Sequence, residues 1–158
     1  MINASQSRNA LTQSIRAFFR SEGFEEVETP LVLKTPCMEL HIDAIPSGDG
    51  FFRTSPELSH KKLLAQGAEK IFEIGPCFRQ GEKGRLHNPE YTMLEWYRAH
   101  SDYMTALEDT QNLLVVVLEC RRDLRGRYSP GVAFSKCSTA YPYSGSGHPA
   151  FSDGLGKK

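Results

Sequence analysis

Apolar residues recur at two different periods along this chain, and the switches between them mark its elements. Leu11, Ile15, Phe18 and Phe19 fall at helical spacing, which predicts a helix from about Ala4 to Glu22 with that face in the core. Gly23 follows and can close the helix in a left-handed C-cap. Phe24 to Thr29 reads as a short strand that stops at Pro30. Lys34 to Asp49, broken by Pro36, Pro46 and Gly48, reads as loop with a short strand. Phe51-Phe52-Arg53-Thr54 is a further brief strand. Ser55-Pro56-Glu57 opens a second helix, with Ser55 as N-cap, Pro56 at the first helical position and Glu57 complementing the helix dipole. Leu58, Leu63 and Leu64 are expected to bury one face of it before Gly67 ends it.

The clearest pattern comes next. Ile71, Phe72, Ile74 and Phe78 form a short apolar run, the mark of a buried strand, and Tyr91 to Tyr97 is rich in β-formers. Between them lie Gly81, Gly84, Asn88 and Pro89 with Glu82, Lys83, Arg85 and His87, a loop composition. Side chains alternate along a strand, so Tyr91, Met93, Glu95 and Tyr97 share one face while Thr92, Leu94, Trp96 and Arg98 share the other. In the first strand Glu73, Gly75, Cys77 and Arg79 oppose Phe72, Ile74 and Phe78. A carboxylate in a row of aromatics, as Glu95 is, is costly to bury unless a cation meets it. Ser101 or Asp102 caps a third helix running to about Cys120, with Met104, Leu107, Leu114 and Leu118 as its apolar face. Arg121, Arg122, Arg125 and Arg127 then read as a solvated helix exit, and the Gly-, Ser- and Pro-rich stretch from Ser138 on as a flexible tail. The expected division is a folded segment over 1–120 and a tail over 121–158.

Composition narrows the partners. A chain of 158 residues suffices for one domain with a core. Its 19 basic and 19 acidic residues cancel, which argues against a grip on long nucleic acid by charge alone. Cys37, Cys77, Cys120 and Cys137 are widely spaced, so unpaired thiols in a reducing cytosol are expected rather than a zinc site; no metal ligands are assigned. The opening residues are polar and there is no run of about 18 apolar residues, so neither a signal peptide nor a membrane span is expected.

Arg79, followed eight positions later by His87-Asn88-Pro89-Glu90-Tyr91-Thr92-Met93-Leu94-Glu95-Trp96-Tyr97, resembles motif 2 of the class II aminoacyl-tRNA synthetases, in the lysine branch. Met-Leu-Glu-Trp-Tyr-Arg is most similar to the short members of that branch, which attach β-lysine to elongation factor P. The first helix with Gly23-Phe24-Glu25-Glu26-Val27-Glu28-Thr29-Pro30 resembles motif 1, the dimer-interface segment of the family. Glu57 lies 22 positions before Arg79, as the family's amino-group-binding glutamate does before the motif 2 arginine. Nothing resembles motif 3, and the resemblance runs from about Ala10 to Cys120. With motif 1 starting close to Met1, an N-terminal anticodon-binding barrel is not expected.

The resemblance implies an α+β fold, a class II synthetase-type antiparallel sheet flanked by helices, incomplete because motifs 1 and 2 are present and motif 3 is absent. It implies a cytoplasmic homodimer using ATP and Mg²⁺. Arg79 would be the catalytic cation at the α-phosphate, touching the substrate carboxylate as well. Glu82, Arg85, His87 and Tyr91 would join Arg79 in binding ATP, with Tyr91 as platform for adenine. Glu57, Arg79, Glu95 and Tyr97 would bind the amino acid. Two positions depart from the family: Gly81 stands where an adenine-contacting Glu is usual, with Glu82 one step on, and Tyr91 stands where Phe is usual. The implied activity is activation of lysine or β-lysine as an adenylate and transfer to a lysine of elongation factor P. The alternatives are a fragment of a lysyl-tRNA synthetase charging tRNA-Lys, and a non-catalytic paralog that binds lysine, adenylate or a full-length subunit.

Overall fold

The computed structural model describes residues 4–126. The expected tail beyond them, with Arg127 and Cys137, lies outside the described residues.

Helix α1 spans Ala4–Ser21 and stops as its glycine demands. Gly23 takes φ +79°, its N–H donates to the Arg20 carbonyl, and the Phe24 N–H donates to the Phe19 carbonyl. This paired 5→2 and 6→1 closure satisfies two carbonyls that a helix end otherwise leaves bare. The rings of Phe19 and Phe24 meet edge-on at 5.1 Å across the turn, locking the exit direction of the chain.

The chain then runs as β1 (Glu25–Glu26), parallel to β5 (Lys70–Phe78), with Glu25 opposite Ile71 and Glu26 opposite Phe72. The strand is shorter than the sequence predicts. Thr29 leaves the ladder because both its N–H and its hydroxyl turn to the carboxylate of Glu73. β5 pairs antiparallel with β6 (Glu90–Arg98) along its whole length, from Lys70–Arg98 to Phe78–Glu90. The sheet, ordered β1-β5-β6, is therefore mixed and not purely antiparallel as expected. The long connection between β1 and β5 is what permits the parallel pair. That connection holds a second, antiparallel sheet of β2 (Val32–Leu33), β3 (Pro46–Ser47) and β4 (Gly50–Phe52), ordered β2-β4-β3, and then helix α2 (Glu57–Ala65).

Strand alternation predicts the layers correctly. Phe72, Ile74, Leu94 and Trp96 project to one face of the hairpin and pack with Phe18, Phe19, Phe24 and Leu113, while Val116 and Val117 complete the cluster. Phe19 is fully buried and stacks on Phe72 at 4.8 Å. Burying one such ring contributes about 1.5–3 kcal/mol. The opposite face of the hairpin carries Ile71, Glu73, Gly75 and Cys77 beside Tyr97, Glu95, Met93 and Tyr91.

Two helix faces differ from the sequence expectation. Helix α3 (Tyr103–Gly126) is capped by Asp102, whose Oδ1 accepts the Thr105 N–H at 3.1 Å, and it continues past Cys120. It turns Asp109, Leu113, Val116 and Val117 inward and leaves Met104, Leu107, Leu114 and Leu118 exposed. The helix carries two apolar stripes, and Arg98 selects between them: its guanidinium grips both oxygens of Asp109, at 2.7 and 3.2 Å, from the end of β6. In α2 the buried side chain is His60, while Leu58 is exposed and Leu63 and Leu64 are half-buried. That helix starts one residue late, with Pro56 at the N-cap position and Ser55 before it.

Candidate functional site

The candidate site forms on the face of β5–β6 turned away from the α1–α3 core, under α2. Its floor is a buried polar cluster. Glu73, 3 % exposed, receives Arg53 Nη1 at 2.6 Å, His60 Nε2 at 2.9 Å and the Thr29 hydroxyl at 2.8 Å. Arg53 Nη1 also donates to the Thr29 hydroxyl and carbonyl, and its Nε donates to the Pro76 carbonyl. Burial pushes the Glu73 carboxyl up, but the hydrogen bonds from His60, Thr29 and Arg53 together with the guanidinium charge outweigh it and hold the group at about 2. Four segments meet here: the chain after β1, the end of β4, α2 and β5. Gly75 is required beside them, because a Cβ there would lie 2.4 Å from Arg53 Nη2.

Directly opposite Glu73 in the strand register stands Glu95. It is half-buried, and its hydrogen-bond partners are neutral hydroxyls. The Tyr97 phenol donates to Oε1 at 2.7 Å and the Ser55 hydroxyl donates to Oε2 at 3.0 Å. Ser55 Oγ in turn accepts the Glu57 N–H at 3.0 Å, so one hydroxyl joins the start of α2 to the carboxylate on β6. Among the described residues, no Lys, Arg or His forms an ion pair with Glu95. Burial raises the Tyr97 phenol far above the usual tyrosine range, and the hydrogen bond and negative charge of Glu95 add to it. Tyr97 therefore stays a neutral donor at every physiological pH. Glu57 reaches back along its helix to Lys61, with Nζ 2.5 Å from Oε1.

At the far end of the hairpin Arg79 lies over the ring of Tyr91, its Cζ 5.4 Å from the centroid. Arg79 Nε is buried with no partner. Tyr91 is fixed by donating its hydroxyl to the Thr54 carbonyl at 3.0 Å. The loop from Arg79 to Glu90 is pinned at its root by Arg79 N–H to the Pro89 carbonyl and Gln80 N–H to the Asp43 carbonyl. Its tip is a small turn with Gly84 bridging to His87, and there Arg85 and His87 are exposed and Glu82 half-buried.

The structure thus joins Glu95 to Tyr97 directly and to the backbone of Glu57 through Ser55, and brings Arg79 together with Tyr91. It leaves Glu82, Arg85 and His87 on the open loop. Sequence reasoning missed the links: Ser55 as a ligand of Glu95, and the cluster of Thr29, Arg53, His60 and Glu73. The one available signal was an arginine inside an aromatic run, Phe51-Phe52-Arg53, which demands a buried anion. A shallow open depression lined by Val32, Leu33, Lys34, Ser47, Asp49 and Gly50 includes none of the candidate residues. Among the described residues no group of three or more His, Cys, Asp or Glu is arranged to hold a metal ion, and no helix is long and apolar enough to cross a membrane.

Comparison with known proteins bears on this geometry. The family of class II tRNA synthetases (D, K and N) matches the chain over residues 1–140, further at both ends than the motifs read from the sequence. The chain is 38% identical over 131 residues to the elongation factor P–(R)-β-lysine ligase of Yersinia enterocolitica, a match covering 77% of this chain and 40% of that protein. It is 39% identical over 123 residues to the protein of the same description from Yersinia pestis, covering 72% and 38%. The Yersinia pseudotuberculosis protein gives the same figures. The chain spans about 40% of the length of the curated relatives it matches.

Proposed function

This chain belongs to the class II tRNA synthetases (D, K and N), and from that premise we propose that it carries the amine- and phosphate-binding part of an ATP-dependent ligase that activates lysine or β-lysine and passes it to a lysine of elongation factor P. The observation that carries the reading is the contrast between the two facing carboxylates. Glu73 has its own guanidinium, whereas Glu95 has two hydroxyls and no cation among the described residues. A half-buried carboxylate held in place by neutral donors is an incomplete ion pair, and a substrate ammonium completes it. The names of the matched Yersinia proteins agree with an amine-bearing substrate.

Each group then has a task. Glu95, oriented by Ser55 and Tyr97, takes the side-chain ammonium. Glu57 takes the other amino group, exchanging its exposed contact with Lys61 for the ligand. Arg79 presents a planar fork to the substrate carboxylate and the α-phosphate, and its unpartnered Nε fits an incoming anion. As the carboxylate attacks phosphorus, negative charge gathers on the phosphoryl oxygens, and a fixed guanidinium in a dry site stabilises it at that moment. The bond to pyrophosphate breaks, leaving an aminoacyl-adenylate, and the acceptor amine then attacks its carbonyl carbon, losing a proton and releasing AMP. Tyr91, held by Thr54, offers its ring to the base, and Arg85 and His87 on the open loop take the outer phosphates. Among the described residues no group of three or more His, Cys, Asp or Glu is arranged to hold a magnesium ion.

Calorimetric titration of lysine, (R)-β-lysine and norleucine into the chain tests the reading. Binding of either amine with no binding of norleucine is the expected result; equal affinity for norleucine would overturn it. Transfer of labelled β-lysine to elongation factor P, and not to tRNA-Lys, is the outcome expected of the longer proteins that share this segment.

A further inference from the structure

The ring of Tyr97 meets a residue on another element. His60 is fully buried on α2, and its ring meets that of Tyr97 edge-on, with centroids 5.4 Å apart and planes at 83°. Its Nε2 is fixed 2.9 Å from Glu73 Oε2. Glu73 is held in turn by Arg53 and Thr29, so the imidazole is anchored to a buried, cross-linked polar cluster. The other ring nitrogen, Nδ1, is buried without a partner. A buried polar atom left so carries a desolvation penalty, which an aliphatic side chain at this position would not incur. The ring that carries this penalty is turned to Tyr97.

We infer that His60 is a positioning residue of the amine site: Glu73 fixes its ring, and the ring holds the Tyr97 phenol on Glu95. The inference rests on the reading of Glu95 and Tyr97 as the amine-binding pair. His60 itself touches no substrate. It blocks the space beside Tyr97 on the α2 side, so the phenol points along β6 to Glu95 Oε1. Remove the ring and Tyr97 gains room to leave Glu95, which then keeps Ser55 as its hydroxyl partner. The effect is confined to amine recognition, because Tyr91 and Arg79 stand at the opposite end of the hairpin, where Tyr91 pairs with Cys77 and Tyr97 with Ile71.

The test uses the full chain and the substitution His60→Gln, which keeps an N–H for Glu73 and deletes the ring. The first readout needs no ligand. In a spectrophotometric titration, His60→Gln should lower the pH at which the Tyr97 phenol ionises, because the hydrogen bond to Glu95 that helps to raise it is lost. The change should be absent when His60→Gln/Tyr97→Phe is compared with Tyr97→Phe. The second readout is calorimetry: lysine affinity should fall roughly tenfold, the size of one weakened hydrogen bond to a charged group, while affinity for an adenine nucleotide stays unchanged. A merely structural His60 would lower thermal stability and leave both readouts where they were. An unaltered phenol titration overturns the positioning role. An unsubstituted chain that does not prefer lysine to norleucine overturns the amine-site reading instead, and the titration still decides whether His60 holds Tyr97. His60→Asn, which also keeps an amide donor, serves for both measurements should His60→Gln fail to fold.

Discussion

Glu73 and Glu95 stand opposite each other across β5 and β6, yet among the described residues only Glu73 has a resident cation. Two carboxylates in facing positions on one half-covered sheet repel unless each is compensated. Arg53 compensates the first, and the compensation of the second is left to hydroxyls and to what binds. This division separates a structural anion from a functional one. Glu95→Gln should therefore lower lysine affinity by about 10- to 100-fold, the worth of a hydrogen-bonded charge, and change stability little. Tyr97→Phe should cost less, because Ser55 remains. Calorimetry with lysine, set beside thermal melts, separates the two effects.

Glu73 predicts the opposite balance. Its carboxyl is held at about 2, below the ordinary 4.5, by partners that exist only in the folded chain. The folded state thus prefers the ionised form, and the stability this brings is complete above pH 4.5 and lost as pH falls towards 2. A displacement of that size corresponds to about 3 kcal/mol. Arg53→Leu leaves the carboxylate buried without its guanidinium and should destabilise by about 3–5 kcal/mol at neutral pH. Urea denaturation at pH 7 and pH 3 checks both. The difference between the unsubstituted chain and Arg53→Leu should shrink at the lower pH, as Glu73 of the variant protonates.

Lys61 occupies the carboxylate proposed for the substrate amino group. The pair is exposed and spaced i,i+4, the kind of contact that contributes little. Hydrogen bonding to Glu57, then the charges of Glu57 and Glu95, hold the lysine protonated. A fixed ammonium beside an amine site repels a dicationic ligand, so Lys61→Met should tighten lysine binding a few-fold at most, more at low salt than at high. Weaker binding in the variant would assign Lys61 to the substrate carboxylate.

The hairpin, its faces and the end of α1 were legible in the sequence because local rules decide them. Alternation sorted Phe72, Ile74, Leu94 and Trp96 from Glu73, Glu95 and Tyr97, and Gly23 alone supplied the left-handed closure that Phe24 then locks. The rotation of α3 was not legible. Leu107, Leu114 and Leu118 compete there with Leu113, Val116 and Val117, and the choice rests on a contact between Arg98 and Asp109 that no helical period contains. His60 was invisible for the same reason: it is a polar residue in a polar stretch, and its partners come from other elements, with Thr29 and Glu73 alone separated by 44 positions. The short β1 has the same origin, since Thr29 was claimed by Glu73 and not by the sheet.

The segment from α1 to Pro30 resembles the family's dimer-forming motif, and it leads into exposed Leu31 and Val32. The inner residues Phe18 and Phe19 are consumed by the chain's own core, so an interface must use the outer side of α1 and the strand that follows. Sedimentation at micromolar concentration should show a dimer, and Val32→Glu should dissociate it without unfolding. A folded monomer in the unsubstituted chain would remove the proposal.

The 158-residue chain should bind lysine yet turn over poorly. Adenylate formation concentrates charge on the reacting phosphate, and each lost electrostatic contact there costs on the order of 10² to 10³ in rate. Arg79 supplies one such contact. No second motif 3-type arginine is recognisable in the sequence, and among the described residues no set of three acidic or imidazole groups is arranged for a metal ion. Losses at one site do not add cleanly, but two of this size place turnover below detection. Binding is a separate matter, because Glu57, Glu95, Tyr97 and their support from Ser55 and His60 all lie within the described fold. Lysine-dependent exchange of pyrophosphate into ATP, with Arg79→Ala as blank, should therefore be flat while calorimetry still reports lysine. Exchange that is robust in the unsubstituted chain and abolished in Arg79→Ala would mean that Arg79 suffices, or that residues after Gly126 hold the outer phosphates.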